Sequence, residues 1–387
     1  MQYRPCKSSG NKLSALGLGC MRFPRDKSET ERMVLRAIDG GINFFDTAYM
    51  YPNSESTLGS ILSALNKRKD VFISTKLPIM MCKNAGDFDK YFSRQLERLQ
   101  TDYLDYYLLH NISSFSQWES LREMGIEKWI AEKKKTGQIR HIGFSYHGSC
   151  DDFIKVLDSY NWEICLIQYN YFDENYQAGK NGLKAAADKG ISVMIMEPLL
   201  GGKLATGLPE SAVKVFARAN PVLTPADWAF RWLWNQHEVT TVLSGMNTVS
   251  QVESNLGAIE NFTPLTDEEL AVYSEVIDIF KRSYKIKCTG CGYCLPCPKG
   301  INIPACFTAL NARYAQGYIT GLSLYMTTAA LATSHPLSPR LCIQCGKCEK
   351  HCPQNLPIRK DLKKVTKSLE PLPLRMAISF FKLIMAR

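Results

Sequence analysis

Cys288, Cys291, Cys294 and Cys297 follow one another at two-residue gaps and run directly into Pro298. Cys342, Cys345, Cys348 and Cys352 repeat the arrangement ahead of Pro353, with a final gap of three. Three thiolates so spaced can wrap one face of an iron–sulfur cubane while a fourth arrives from farther along the chain. Structural zinc sites pair two Cys-x2-Cys knuckles instead of triplets, so the pattern predicts two [4Fe–4S] clusters. The first run is one residue short before its last thiol, and spacing alone leaves open a local set of four there, or one weak cluster. Cys306 is spare and is expected to be buried on a helix. A second set of residues, Asp46, Tyr51, Lys76 and His110, suits acid–base chemistry on an oxygen. A tyrosine with a pKa near ~10 is a poor proton shuttle at neutral pH. A neighbouring Lys76 ammonium favours the phenolate, Asp46 would hold that lysine charged, and His110 can hydrogen-bond the reacting oxygen.

The elements that must position these four residues are legible as alternating short apolar runs and longer amphipathic stretches. Strands are predicted at 14–19, 42–45, 71–75, 106–109, 141–144, 165–169, 192–196 and 241–244. Helices are predicted at 28–39, 87–99, 119–135, 151–159 and 225–235, with Ser28 and Thr224 as N-caps. Eight strands, each followed by a helix, fit a closed (β/α)8 TIM barrel, whose catalytic residues stand at the C-terminal strand ends. Asp46, Lys76 and His110 fall at successive strand ends, and Tyr51 lies in the loop after the second strand. Each alone would pass as a rim residue, but the set of four in order would not. A doubly wound open sheet is disfavoured because no G-x-G-x-x-G follows the first strand.

The segments 46–55 (DTAYMYPNSE), 73–76 (ISTK), 107–110 (YLLH) and the opening 16–22 (LGLGCMR) resemble the signatures of the aldo/keto reductase family over the whole barrel. The resemblance implies hydride transfer between a nicotinamide and a carbonyl or alcohol, with Tyr51 as proton donor. It also implies that Ser145 and Gln168 hold the carboxamide. Met196 stands where many relatives place a stacking aromatic. Ser244, Gly245, Asn247, Gln251 and Asn255 resemble the loop and helix start that receive the phosphates, a role suited to backbone amides. NADP is the family default, but Gln251 occupies the expected arginine position, so NAD stays open. The second cysteine run matches the bacterial ferredoxin run, which implies that the fourth ligands are exchanged. The ligand sets become Cys288, Cys291, Cys294 with Cys352, and Cys342, Cys345, Cys348 with Cys297. Helices predicted at 304–316 and 319–332 make this a mostly helical ferredoxin-like domain. Together the halves resemble oxidoreductases that fuse an aldo/keto reductase to a ferredoxin-type domain.

Charge and composition divide the chain in the same place. Residues 281–387 carry 17 Lys+Arg against three Asp+Glu, so the net +10 belongs to the C-terminal third. That favours an acidic redox partner such as ferredoxin or flavodoxin. No nucleic-acid motif accompanies the charge. The expected division is a barrel at 1–283, a 4Fe–4S domain at 284–360 and a basic amphipathic tail at 361–387. Contact of that tail with a membrane surface is open but not favoured over packing on the protein. The N-terminus lacks a signal-peptide pattern and no apolar run reaches membrane-spanning length, so a cytoplasmic location is expected. Cys6, Cys20, Cys82, Cys150 and Cys165 are expected to be structural thiols. Nicotinamide gives up a hydride whereas a cluster passes single electrons, so flavin remains open as a converter. The alternative to an enzyme is an electron-transfer or regulatory subunit that keeps the barrel as a nucleotide scaffold.

Overall fold

The computed structural model describes residues 1–330 and 338–371. The chain divides into two compact units. One comprises Met1–Pro198 with Ala229–Leu265, the other Leu199–Trp228 with the chain from Thr266 onward.

The first unit opens with a hairpin, β1 (Tyr3–Pro5) and β2 (Lys12–Ser14). Eight parallel strands then close a barrel: β3 (Leu16–Gly19), β4 (Phe44–Asp46), β5 (Phe72–Leu77), β6 (Leu104–Ile112), β7 (Ile139–Tyr146), β8 (Ile164–Gln168), β9 (Ser192–Met196) and β10 (Val239–Ser244). Closure is the β10–β3 pairing, with Val242 opposite Leu16. Phe44, Tyr106, Leu108, Ile164, Leu166, Met194 and Leu243 share one core cluster within the unit, and no barrel edge is left open. The expected TIM barrel is therefore observed, and each predicted strand overlaps an observed one. Residue 14, predicted to open the first barrel strand, closes the hairpin instead.

The helices are α1 (Lys27–Asp39), α2 (Ser54–Ala64), α3 (Gly86–Leu99), α4 (Phe115–Glu123), α5 (Ile126–Lys135), α6 (Cys150–Asp158), α7 (Gly179–Asp188), α8 (Glu210–Ala219), α9 (Pro225–Trp234) and α10 (Val249–Glu260). After them come α11 (Asp267–Ser283), α12 (Ile303–Gln316), α13 (Tyr318–Tyr325), α14 (Lys347–Lys350) and α15 (Ile358–Leu369). Two expectations are corrected. The single helix predicted over 119–135 is two, α4 and α5, because Gly125 takes φ +86°, a left-handed conformation that ends one helix and starts the next. The cap of α1 is Asp26, whose carboxylate accepts from Ser28 N and Glu29 N, so Ser28 lies inside the first turn. Thr224 does answer Asp227 N, and the Asp227 carboxylate answers Thr224 N in return.

The second unit draws together α8, α11 and the cysteine-bearing segments. Its apolar core is built from Ile286, Ile301, Ile303, Phe307, Leu310, Ile358, Leu362 and Val365, with cysteines of both runs packed against it. The loop that leaves β9 belongs here too. Gly201 has φ +64°, and a Cβ on it would stand 1.9 Å from Thr289 O, so only glycine lets this loop lie on the first cysteine run. The unit is thus not contiguous in sequence, whereas composition alone suggests a boundary near Tyr284. Past α13 the chain makes a π-helical turn over Met326–Ala330, and the rest of the helix predicted to 332 lies outside the described residues. So does the amphipathic stretch at the end of the tail. No helix among the described residues is long and apolar enough to cross a membrane.

Candidate active site and cysteine cavities

The C-terminal strand ends bring the four acid–base candidates together. Asp46 is the last residue of β4, Lys76 the penultimate residue of β5, and His110 lies near the end of β6. Lys76 Nζ is buried, 2.6 Å from Asp46 Oδ2, and also donates to Thr47 O at 2.6 Å. The same nitrogen stands 5.0 Å from the centroid of the Tyr51 ring. That ring meets His110 edge-on, centroids 5.9 Å apart. Burial pushes the Asp46 carboxyl above its ordinary range while the Lys76 charge opposes the rise. Burial also holds His110 well below its ordinary value, with smaller contributions from Lys76 and His147. The imidazole is therefore neutral at physiological pH and suited to hydrogen-bonding a carbonyl oxygen.

A buried network that sequence reasoning missed fixes this geometry. Glu55, on α2 just after the Tyr51 loop, accepts at Oε1 from Thr75 Oγ1 (2.6 Å) and Gln95 Nε2 (2.7 Å). Its other oxygen takes Arg98 at 3.1 Å. Gln95 also donates to Lys76 O and accepts from Tyr107 OH. One carboxylate thus ties α2, which follows Tyr51, to α3 and to the strand that carries Lys76. Glu55 falls within the quoted motif, but its partners lie 20 to 43 residues away and give no local signal.

His147, also missed, follows β7. Its backbone N–H donates to Ile112 O and its ring Nδ1 lies 3.1 Å from Gln177 Oε1. Burial holds its pKa at about 4, against an ordinary 6.5. Between those pH values the unfolded chain binds the extra proton, so stability must fall as pH drops through the window. We expect a loss of about 3 kcal/mol between pH 6.5 and 4 from this residue. Urea midpoints for His147→Gln should depend less on pH than those of the wild type, and parallel pH profiles would refute the assignment.

The candidate cofactor residues lie on the same face. Ser145 Oγ accepts from Asn111 N at 2.7 Å, and Asn111 turns the chain after His110 with φ +64°. Gln168 ends β8 and donates to Asp173 Oδ2 at 3.1 Å. Ser244 ends β10 and takes Asn255 Nδ2 at 2.9 Å. The start of α10 is already answered by the chain's own acceptors. Thr248 caps Gln251 N, Gln251 Oε1 accepts from Asn247 N at 2.9 Å, and Glu29 Oε1 accepts from Val249 N at 3.0 Å. That last bond holds Glu29 below the usual carboxylate range. Gly245 contributes backbone only, and Met196 ends β9.

In the second unit the eight candidate thiols sort into two cavities. Cys288, Cys291, Cys294 and Cys352 line one, with Ile303, Phe307 and Ile358. Cys297, Cys342, Cys345 and Cys348 line the other, which Cys294 also borders. Among the described residues no group of three or more such side chains closes tightly enough for a single metal ion. Thiols spread around a shared space fit a cubane, which is wider than one zinc with its ≈2.3 Å Zn–S bonds. As free thiols, Cys288 is pushed up to about 11 and Cys294 to about 12, by burial first and then by neighbouring cysteines. Bound iron would reverse that, since a coordinating thiol is deprotonated outright. Cys306 is fully buried on α12 and lines neither cavity. Of the scattered thiols, Cys6, Cys20 and Cys165 are buried, and Cys82 and Cys150 partly so.

Residues 15–278 match the aldo/keto reductase family, and residues 287–356 match the 4Fe-4S dicluster domain. The chain is 27% identical to L-glyceraldehyde 3-phosphate reductase of Escherichia coli O157:H7, over 72% of this chain and 93% of that one. It is 29% identical to L-galactose dehydrogenase of Arabidopsis thaliana, over 72% and 94%. It is 26% identical to the NADH-specific methylglyoxal reductase of Escherichia coli K12, over 73% and 100%. Among solved structures it resembles the holo form of the aldo-keto reductase AKR11C1 from Bacillus halodurans, with TM-score 0.61, 26% identity, and coverage of 71% of this chain and 96% of that one.

Proposed function

The chain belongs to the aldo/keto reductase family, fused to a 4Fe–4S dicluster domain, and on that footing we propose that it reduces a small carbonyl with NADH, or oxidises the matching alcohol with NAD+. The observation that carries this is the buried Asp46–Lys76 pair at 2.6 Å, with Lys76 Nζ 5.0 Å from the Tyr51 ring and a neutral His110 beside that ring. When bound, the dinucleotide supplies the hydride. His110 orients the carbonyl oxygen, and Tyr51 hands that oxygen a proton as negative charge develops on it. Lys76 stabilises the phenolate left behind, and Asp46 keeps the lysine charged and aimed. Ser145 and Gln168 are proposed to hold the carboxamide. The eight cysteines are proposed as ligands of two clusters which, when bound, supply one-electron exchange with an external acidic carrier.

The preference for NADH rests on the start of α10. Gln251 stands at the position the resemblance gives to arginine, and Glu29 sets a carboxylate on Val249 N. A 2′-phosphate brought to these amides would meet a like charge, whereas a ribose hydroxyl could donate to one. We expect KM for NADH to be at least about ten-fold below that for NADPH, a difference of about 1.4 kcal/mol. Glu29→Gln with Gln251→Arg should close the gap. A wild-type protein with the lower KM for NADPH would sink this preference.

The function itself is tested with anaerobic holoprotein, NADH and a panel of short aldehydes and ketones. Turnover with at least one of them supports it. If no carbonyl is reduced while cluster absorbance still bleaches with reduced ferredoxin, the barrel serves as a scaffold and the enzyme reading fails.

A further inference from the structure

We propose that the cavity lined by Cys297, Cys342, Cys345 and Cys348 is the face on which a small acidic ferredoxin docks, so that electrons cross the protein surface through this cluster and not through the other. The proposal rests on the reading of these cysteines as cluster ligands, and it adds which of the two clusters is terminal.

The surroundings of the two cavities differ in charge and exposure. The lining of the cavity of Cys288, Cys291, Cys294 and Cys352 is apolar and uncharged polar, and the Lys203 charge acts on Cys288 from outside that lining. One side of its cysteine run is occupied by the chain itself, where Gly201 lies on Thr289. The other cavity is lined by Lys299, Lys347, His351 and Arg359. Its ligand Cys345 is solvent-exposed, as are Leu295 (42%) and Ile343 (57%), which also line it.

The positive charge there is only partly cancelled locally, through the pairing of Arg359 with Glu349. Residues 281–387 contain three acids, Glu349, Asp361 and Glu370. Glu349 is engaged by Arg359 at 2.7 Å, Asp361 by Lys364 at 2.7 Å, and Glu370 by Arg340 at 2.7 Å. Lys299 and Lys347 have no acidic partner among the described residues. Two exposed apolar side chains beside a basic rim are the composition of a small docking patch: apolar centre, charged edge. Electron-transfer encounters of this kind bury little area and depend on electrostatic steering for their rate. An acidic partner answers the rim, and the exposed Cys345 brings its cluster nearest to this one. The transfer moves a single electron. The carrier's cluster is oxidised by one, this cluster is reduced by one, and no bond forms or breaks.

The test uses anaerobic holoprotein whose clusters have been counted by iron and sulfide analysis and by EPR. It is mixed in stopped flow with a reduced plant-type [2Fe–2S] ferredoxin. For Lys299→Glu/Lys347→Glu the second-order rate constant should fall at least about ten-fold at low ionic strength, with a weaker salt dependence. The charge-neutral pair Lys299→Gln/Lys347→Gln should fall between that and wild type, which covers a reversal variant that loads its clusters poorly. Lys128→Glu, on α5, should stay close to the wild-type rate. Wild-type protein that exchanges no electron with the ferredoxin overturns the proposal. So does a neutralised pair as fast as wild type, or an equal loss in Lys128→Glu. A preparation with fewer than two clusters removes the ligand reading as well, and the metal analysis distinguishes that failure from a failure to dock.

Discussion

Tyr51→Phe is expected to lower kcat for carbonyl reduction by roughly 10²–10⁴-fold, the range for loss of a positioned general acid, while leaving dinucleotide affinity close to wild type. The substitution removes one oxygen and keeps the ring that packs edge-on against His110 and lies beneath the Lys76 ammonium. Neither neighbour loses an apolar contact, so the loss reports proton transfer and not collapse of the site. Lys76→Met would be a poorer test, because it strands a buried Asp46 and costs about 3–5 kcal/mol of stability. The measurements are steady-state kcat for the best carbonyl of the panel and NADH affinity by fluorescence quenching. A Tyr51→Phe protein turning over near the wild-type rate would remove Tyr51 as the acid. A protein that also lost NADH affinity would place the residue in binding instead.

The four acid–base candidates could be read from the chain because each stands at or just past a strand end that periodicity makes visible. Their supports could not. Glu55 is a buried carboxylate satisfied by Thr75, Gln95 and Arg98, which approach it only once α2, α3 and β5 have packed. Locally it reads as one more polar residue on a helix. His147 looks like a loop residue until Ile112 and Gln177 close on it. Glu29 is an ordinary first-turn acid of α1, and its bond to Val249 N spans 220 residues. The hairpin β1–β2 and the break at Gly125 were hidden for a different reason. Three-residue strands and a single glycine carry too little pattern to outweigh the longer runs beside them. The make-up of the second unit followed the same rule. Composition marks where the cysteines begin, but the inclusion of Leu199–Trp228 rests on tertiary contacts such as Gly201 on Thr289.

Cys352→Ser should abolish the cluster of the first cysteine run, although Cys352 belongs to the second. The reason is where each run ends. Cys352 lines the cavity of Cys288, Cys291 and Cys294, whereas Cys297 lines that of Cys342, Cys345 and Cys348. Each cavity therefore gathers three thiols of one run with the last thiol of the other, Cys294 bordering both cavities, and cysteines of both runs pack on one apolar core with Ile303, Phe307 and Ile358. Binding at such a site is coupled to folding, since the unfolded chain holds no preformed set of four. Cys352→Ser and Cys297→Ser should each reduce iron from about eight to about four per chain, and each should leave a single reduced-cluster EPR signal. The two residual signals should differ, because the surviving cluster differs. In Cys352→Ser it sits among Lys299, Lys347 and Arg359, and in Cys297→Ser it sits in the uncharged cavity. Electron exchange with ferredoxin should then persist in Cys352→Ser and be lost in Cys297→Ser. If the first run instead supplied all four of its own ligands, Cys352→Ser would keep the first cluster and lose the second, and the two residual spectra would change places. That exchange of spectra would overturn the crossed ligation and, with it, the reason for placing the final thiol of each run in the other's cavity.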